Sequence, residues 1–182
     1  MEKWSIGKSA TLTDIAMCIN KYRILTPGLY ACINIGVKVN GHIEYPDLMV
    51  MVNSGSKKQC EPDYENNCFN GPPNFVVDIE EDSSSPSLKS RKKLFASSGV
   101  EEYLVVNEAL TRIEWNRLIK GEFQEIYPDE NGMIRSSGLP GLWIPIDELK
   151  KRDYWAVMAS IEHGATRAEH HKLMQTIWKD QS

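Results

Sequence analysis

Two short, mostly apolar runs constrain the fold of this chain most strongly. They are Leu48–Val52, which is apolar throughout, and Phe75–Ile79, which contains a single acid, Asp78. Runs of this length are too short for typical helices and are typical of strands that are buried on both faces. Such strands belong to sheets with helices packed on each side. The sequence therefore predicts an α/β or α+β domain with a central mixed β-sheet flanked by helices.

The other predicted elements follow from periodicity and turn residues. Apolar residues alternate with polar ones from Ile33 to Val39, and Asn40-Gly41 is a strong signal for a two-residue hairpin loop. Ser85-Pro86 marks a helix start, and Gly99 suits the cap at its end. The predicted helices cover residues 12–22, 86–98, 152–162 and 167–179, further strands lie at 43–45, 103–106, 111–118 and 122–127, residues 53–74 form a long loop, and residues 139–146 are extended.

The chain of 182 residues suffices for one domain with a short appendage. We expect a main domain over residues 1–150 and a C-terminal helical extension over residues 151–182. The two C-terminal helices have apolar faces. Trp155 and Ile161 lead the first, and Met174, Ile177 and Trp178 lead the second. Short helices need packing to be stable in water, so these faces are predicted to dock on the main domain or on a second copy in a homodimer.

Composition excludes several classes of protein. The net charge of −4 argues against a broadly basic nucleic-acid binder, although an enzyme with one local basic strip remains open. No apolar run approaches the ~20 residues of a membrane span, and no apolar segment follows the N-terminus as in a secretory signal. The four cysteines form no CxxC pair, which argues against a zinc site, and without a secretory signal they are expected to be reduced thiols. We therefore expect a cytoplasmic protein without a membrane partner.

Each of the two apolar runs carries an acid where an acid is costly. Asp47 begins the first run and Asp78 lies within the second. A buried carboxylate must be paired or must ligate a cation, and two acids on neighbouring strands could hold Mg²⁺ or Mn²⁺. The alternative is that Asp47 merely starts a strand after Pro46 and that Asp78 pairs with a basic residue.

A basic residue lies on the apolar face of the predicted helix over residues 86–98. At 100° per residue, Leu88, Leu94 and Phe95 define that face, and Arg91 falls in its middle. This position could bring Arg91 to the two acids. It could equally bury only the aliphatic stem and extend the guanidinium to solvent.

Four segments carry a resemblance to a known family. They are Tyr45–Val52, Pro73–Ile79, Lys92–Val106 and Leu139–Ile146. In this order they resemble the restriction-endonuclease family of bacterial proteins within the PD-(D/E)XK nuclease superfamily. The resemblance covers roughly residues 30–150. It implies a restriction-endonuclease-like core.

The resemblance also implies a metal site. In this family, acids on two adjacent strands ligate a divalent metal ion. Asp47 matches the acid of the PD motif, and Asp78 matches the (D/E) acid. The backbone carbonyl of Ile79 would be a further metal ligand.

The lysine of the family pattern is replaced in this chain. In most of the superfamily it stands two residues after the second acid, where this chain has Glu80 in the acidic run Glu80-Glu81-Asp82. In this family it has usually moved to the next helix, four residues before a tyrosine. Phe95 occupies the tyrosine position, which places Arg91 at the lysine position. Lys92 or Lys89 would be the neighbouring substitute.

Two functions are compatible with these features. The first is a Mg²⁺- or Mn²⁺-dependent endonuclease that hydrolyses phosphodiester bonds in DNA, with Asp47 and Asp78 on the metal and Arg91 or Lys92 steadying water or phosphate. The alternative is a catalytically decayed nuclease fold that binds nucleic acid or another protein. Arginine at the lysine position favours decay, because its pKa is too high for proton transfer. The two acids favour catalysis.

Overall fold

The computed structural model describes residues 4–80 and 85–179. The helices are α1 (Ile6–Leu25), α2 (Pro86–Ser98), α3 (Ile146–Lys150), α4 (Tyr154–Ala165) and α5 (Ala168–Lys179). The strands are β1 (Leu29–Ile33), β2 (Gly36–Val39), β3 (His42–Glu44), β4 (Leu48–Val52), β5 (Glu61–Asp63), β6 (Cys68–Asn70), β7 (Phe75–Ile79), β8 (Glu102–Val106), β9 (Ile113–Ile119), β10 (Glu122–Ile126), β11 (Met133–Arg135) and β12 (Trp143–Pro145).

The central sheet is mixed, as predicted. Its six strands lie in the order β1-β4-β7-β8-β9-β10. The β7–β8 pair is parallel and is connected through α2, and the other neighbouring pairs are antiparallel. A four-stranded sheet, β3-β2-β6-β5, and a two-stranded sheet, β11-β12, complete the strands.

Helices cover both faces of the central sheet, which is why β4, β7 and β8 are buried along their whole lengths. On one face, Ile15 and Ile19 of α1 share a buried cluster with alternate strand residues, namely Leu48, Val50, Val52, Phe75, Val77, Leu104 and Val106. On the other face, Leu88 and Phe95 of α2 pack with Met49, Met51, Val76, Tyr103 and Val105. Since strand side chains alternate, Asp47 and Asp78 belong to the face that α2 covers.

The predicted single strand from Ile33 to Val39 is wrong. Ile33 ends β1 in the central sheet, whereas Gly36–Val39 forms β2 in the four-stranded sheet. Asn34 between them has a left-handed φ of 49°. Apolar and polar residues keep alternating through the turn at Asn34. The alternation therefore could not show that the chain leaves one sheet and enters another. The Asn40-Gly41 hairpin is confirmed, with φ values of 48° and 82°.

The predicted loop over residues 53–74 contains two short strands. These are β5 and β6, of three residues each, and β6 pairs in parallel with β2. Both strands are only three residues long, and β6 pairs with a strand from a distant part of the chain. The local pattern could not show them.

The predicted helix boundaries agree with the structure within three residues except at the start of α1, and the sequence does not predict the short helix α3. The helix predicted over 12–22 extends from Ile6 to Leu25, because Ser5 caps it by accepting the Lys8 N–H at 2.9 Å. Helix α2 is confirmed with Ser85 as its N-cap. Gly99 is at its end, with a φ of 96°.

The C-terminal helices pack on their own chain. Val157, Ile161 and Ile177 are fully buried in the cluster that also contains Ile15 of α1. Trp155 and Trp178, both predicted to lie on buried faces, are instead 89% and 57% exposed. The division at residue 150 and the homodimer stay predictions.

Two further features of the described residues bear on the protein class. The four cysteines carry free thiols. Among the helices that the structure describes, none is both long and apolar enough to cross a bilayer.

Candidate active site

Asp47 and Asp78 lie together where the ladder between β4 and β7 ends. The last paired residues are Leu48 and Val77, so the acids occupy the next position along both strands. At this position the backbone N–H groups donate to side-chain carboxylates and not to backbone carbonyls. The Asp47 N–H donates to Asp78 Oδ1 at 3.1 Å, and the Ile79 N–H donates to Asp47 Oδ2 at 2.7 Å. The two carboxylates are thereby fixed by backbone donors on neighbouring strands.

Asp78 is fully buried, and its carboxylate accepts several hydrogen bonds. Its Oδ2 accepts from the Tyr103 hydroxyl at 2.5 Å and from Arg91 Nη1 at 2.9 Å. Burial raises the pKa of Asp78 to about 6, although Arg91 and the Tyr103 hydroxyl pull in the opposite direction. This is the kind of perturbed carboxyl that is enriched at functional sites.

Arg91 faces the acids from helix α2. Besides its contact with Asp78, its Nε donates to Glu44 Oε2 on β3 at 3.1 Å. Burial acts against the guanidinium charge, but Asp78, Tyr103 and Glu44 outweigh it and raise the pKa of Arg91 further above its ordinary value. Arg91 is therefore a fixed positive charge that cannot act in proton transfer. Of the two orientations left open by the sequence, the structure has the inward one.

A second cation reaches the acids from helix α1. Lys8 Nζ lies 2.8 Å from Asp47 Oδ2, and it also donates to the backbone carbonyl of Ile79 at 3.3 Å. The Lys8 side chain is 23% exposed and that of Asp47 is 9% exposed, whereas that of Asp78 is fully buried. Lys8 and Asp47 thus form the solvent-facing side of the site.

Sequence reasoning missed three residues of this constellation. Lys8 lay outside the predicted helix. With Ser5 recognised as the N-cap, the helix would have included Lys8, one turn before Leu12 on the same face. Tyr103 lay in an apolar run, and nothing in that run indicates that its hydroxyl donates to Asp78. No pattern in the sequence singled out Glu44, because its link to Arg91 joins residues 47 apart in the chain.

The neighbouring candidates lie elsewhere. Lys92 pairs with Glu114 on β9, and Lys89 is exposed. Glu80 is half-buried, and its N–H donates to the Val106 carbonyl. Glu81 and Asp82 lie outside the described residues.

The donor set at this site fits a hard divalent cation. Asp47 Oδ2 and the Ile79 carbonyl oxygen converge on one point, as the contacts of Lys8 show. A carboxylate offers about four acceptor positions, and Asp78 uses three of these on described donors. Mg²⁺ is usually held by one or two carboxylates together with water. Across residues 4–80 and 85–179, no group of three or more His, Cys, Asp or Glu side chains is placed to hold a metal ion.

A pocket of about 470 Å³ opens beside Arg91 on the side of Glu44. Its wall includes His42, Glu80 and Ser90, but neither Asp47 nor Asp78. The pocket therefore gives solvent access to the guanidinium rather than to the acids.

Comparison with known proteins places this chain in a family. The model of the family Uma2, described as "Putative restriction endonuclease", matches residues 8–147. The chain belongs to this family. The match begins at Lys8 and includes Asp47, Asp78 and Arg91. No curated protein matches the chain.

The fold of this Uma2 protein also occurs among solved structures. It resembles the crystal structure of a "putative nuclease belonging to DUF820 from Anabaena variabilis ATCC 29413", with a TM-score of 0.63 and 15% sequence identity. The match covers 82% of this chain and 83% of the other. The restriction-endonuclease-like fold predicted from the sequence is thus confirmed, with the central mixed sheet, flanking helices and C-terminal helices.

Proposed function

We propose that this Uma2 protein is a divalent-metal-dependent endonuclease that hydrolyses phosphodiester bonds in DNA. The observation that carries the proposal is the convergence of Asp47 Oδ2 and the Ile79 carbonyl on one point beside the buried Asp78. Asp47, Asp78 and the Ile79 carbonyl would hold Mg²⁺ or Mn²⁺. Such an ion, when bound, supplies Lewis-acid activation of the phosphate and of the attacking water.

The chain's own residues would keep this site in order. The Tyr103 hydroxyl and the Arg91 guanidinium fix the Asp78 carboxylate, and the Ile79 N–H fixes that of Asp47. Positioning of this kind lowers the reorganisation needed during reaction. Arg91 would also add positive charge near the phosphate, as the lysine of other family members would. Proton transfer must use another group, because Arg91 stays charged.

Helix α2 would provide the local contact to DNA. It carries Lys89, Arg91, Lys92 and Lys93 within five residues, and Lys89 and Lys93 are exposed. Lysine side chains bind backbone phosphates without reading sequence. A local basic surface on the exposed side of α2 would reconcile DNA as substrate with a net charge of −4.

One observation favours the alternative, a decayed nuclease fold that binds nucleic acid. Lys8 and Arg91, the cations that contact the two acids, are both held in ion pairs there. In a nuclease fold that has lost its catalytic activity, we would expect cations of the chain itself to neutralise the acids in this way.

A plasmid-nicking assay separates the two. We expect the wild-type protein to convert supercoiled plasmid to the open circular form with Mg²⁺ or Mn²⁺ and not with EDTA. The isosteric Asp47→Asn variant should lose this activity, and the control Asp147→Asn, at an exposed position in α3, should keep it. Equal nicking by Asp47→Asn would contradict the assignment. DNA binding without nicking by the wild type would establish the alternative.

A further inference from the structure

The ammonium group of Lys8 lies between two of the oxygens to which the proposed function assigns the metal ion. Its distances to Asp47 Oδ2 and to the Ile79 carbonyl oxygen are 2.8 and 3.3 Å. An ammonium ion and a divalent cation bind the same lone pairs of hard oxygen ligands. The two cations therefore cannot both make these contacts.

We propose that Lys8 is an internal cation that competes with the divalent metal for Asp47 and the Ile79 carbonyl. Metal binding then requires that the Lys8 ammonium leaves these oxygens. The inference rests on the proposed function, because it concerns the same metal ligands. It assigns to α1 a control over metal affinity in addition to that of the acids and of Arg91.

Lys8 is placed for this role by the way α1 begins. The Ser5 side chain caps the helix at the N–H of Lys8 itself. One turn further on, the Thr11 hydroxyl donates to the Glu108 carbonyl at 2.6 Å, which ties the first turns of α1 to the segment after β8. The backbone of Lys8 is thus held beside the ends of β4 and β7, within reach of the acids.

The side chain of Lys8 can nevertheless move. It is partly exposed, and lysine carries its charge on a flexible four-carbon stem. Its Nζ also lies 5.9 Å from the centre of the Trp4 ring, which is a second favourable contact for a cation. Arg91 differs, because its guanidinium is held by two carboxylates at once.

Calorimetric titration with Mn²⁺ on full-length protein tests the proposal without any measurement of activity. The variants are Lys8→Met, which keeps the length of the stem and removes the charge, and Lys8→Gln as a second neutral replacement. The matched control is Lys21→Met, in the same helix, where the lysine pairs with Glu162 on α4. Circular dichroism establishes that each variant is folded.

We expect both Lys8 variants to bind Mn²⁺ about tenfold more tightly than the wild type, as the loss of one charged hydrogen-bond competitor implies. Lys21→Met should bind as the wild type does. If the Lys8 variants bind Mn²⁺ and the wild type does not, the result would also support the proposal. It would show that Lys8 blocks the metal site in the wild type.

Two outcomes would overturn the proposal, and they differ in what they say of the proposed function. Equal or weaker Mn²⁺ binding by both Lys8 variants, with a wild type that binds, rejects competition and leaves the metal site intact. Absence of binding in every variant rejects the metal site together with the competition.

Discussion

The backbone N–H of Asp47 donates a hydrogen bond to the carboxylate of Asp78 at 3.1 Å, although the two residues are 31 positions apart in the chain. This hydrogen bond takes the position at which the next residue pair of the β4–β7 ladder would form. The strand pairing that builds the sheet thereby also sets the distance between the two acids. The following predictions depend on this arrangement.

The first prediction concerns the pH dependence of stability. The pKa of Asp78 is about 6 in the folded protein, against 3.8 as its ordinary value. The folded state therefore binds more protons than the unfolded state between these values, and the free energy of unfolding falls as pH rises through this window. The loss should be on the order of 1–3 kcal/mol and should end above pH ~6.

Urea denaturation of the wild type and of Asp78→Asn from pH 4 to 8 measures this effect. The asparagine cannot ionise, so its stability relative to the wild type should increase as pH rises to about 6 and then level off. The control His42→Gln, at an exposed position, should follow the wild type. Parallel curves for the wild type and Asp78→Asn would show that Asp78 is not perturbed.

The second prediction concerns the hydroxyl of Tyr103. Its ring is buried against Phe95 at 5.4 Å between centroids, and its hydroxyl donates to Asp78. Tyr103→Phe keeps the ring and removes the donor, which should lower the free energy of unfolding by about 1–3 kcal/mol. The pKa of Asp78 should rise further in this variant. Tyr127→Phe, at a position that is 73% exposed, is the control and should change stability little.

The third prediction restores the family pattern with Arg91→Lys. A lysine at this position can exchange a proton, whereas the arginine stays charged. We expect Mg²⁺-dependent nicking to increase by about tenfold or more, within the range of general acid–base contributions. The conservative control is Arg23→Lys on an exposed part of α1. Unchanged or lower activity would mean that arginine fulfils the role of the lysine or that lysine cannot reach the phosphate.

The fourth prediction concerns the C-terminal helices. Deletion of residues 151–182 removes Val157, Ile161 and Ile177 from the main buried cluster. Each fully buried aliphatic side chain contributes about 1.5–3 kcal/mol, so the loss approaches the whole stability of a typical domain. We expect the truncated chain to lack a cooperative melting transition.

Light scattering on the full-length protein completes this test. A truncated chain that melts as the full-length protein does, together with the loss of a dimer, would instead assign the helices to an interface between two copies. That outcome would contradict the packing of α4 and α5 on their own chain.

Much of the acid site could be predicted from the sequence because its signals are local. Asp47 and Asp78 stand out as charges in apolar strands. The helical spacing places Arg91 between Leu88 and Phe95, on the apolar face of its helix. The family resemblance adds the order of the segments. These signals bring the two acids and helix α2 into one region, whereas the helical spacing alone leaves the orientation of the Arg91 guanidinium open.

The other half of the site depends on contacts between distant segments. Lys8 meets the Ile79 carbonyl 71 residues further along the chain, and no periodicity in either segment encodes that contact. The same holds for β6, whose three residues carry no local signal of their pairing with β2. A helix start depends on a single capping side chain, so missing Ser5 also meant missing Lys8.

The most direct test of the metal site is anomalous diffraction from crystals of the wild-type protein soaked in Mn²⁺. The account predicts an anomalous peak bound by the Asp47 carboxylate and the Ile79 carbonyl, beside Asp78, with the Lys8 ammonium moved off these oxygens. Crystals that show no such peak, at a Mn²⁺ concentration at which the protein nicks plasmid, would contradict it.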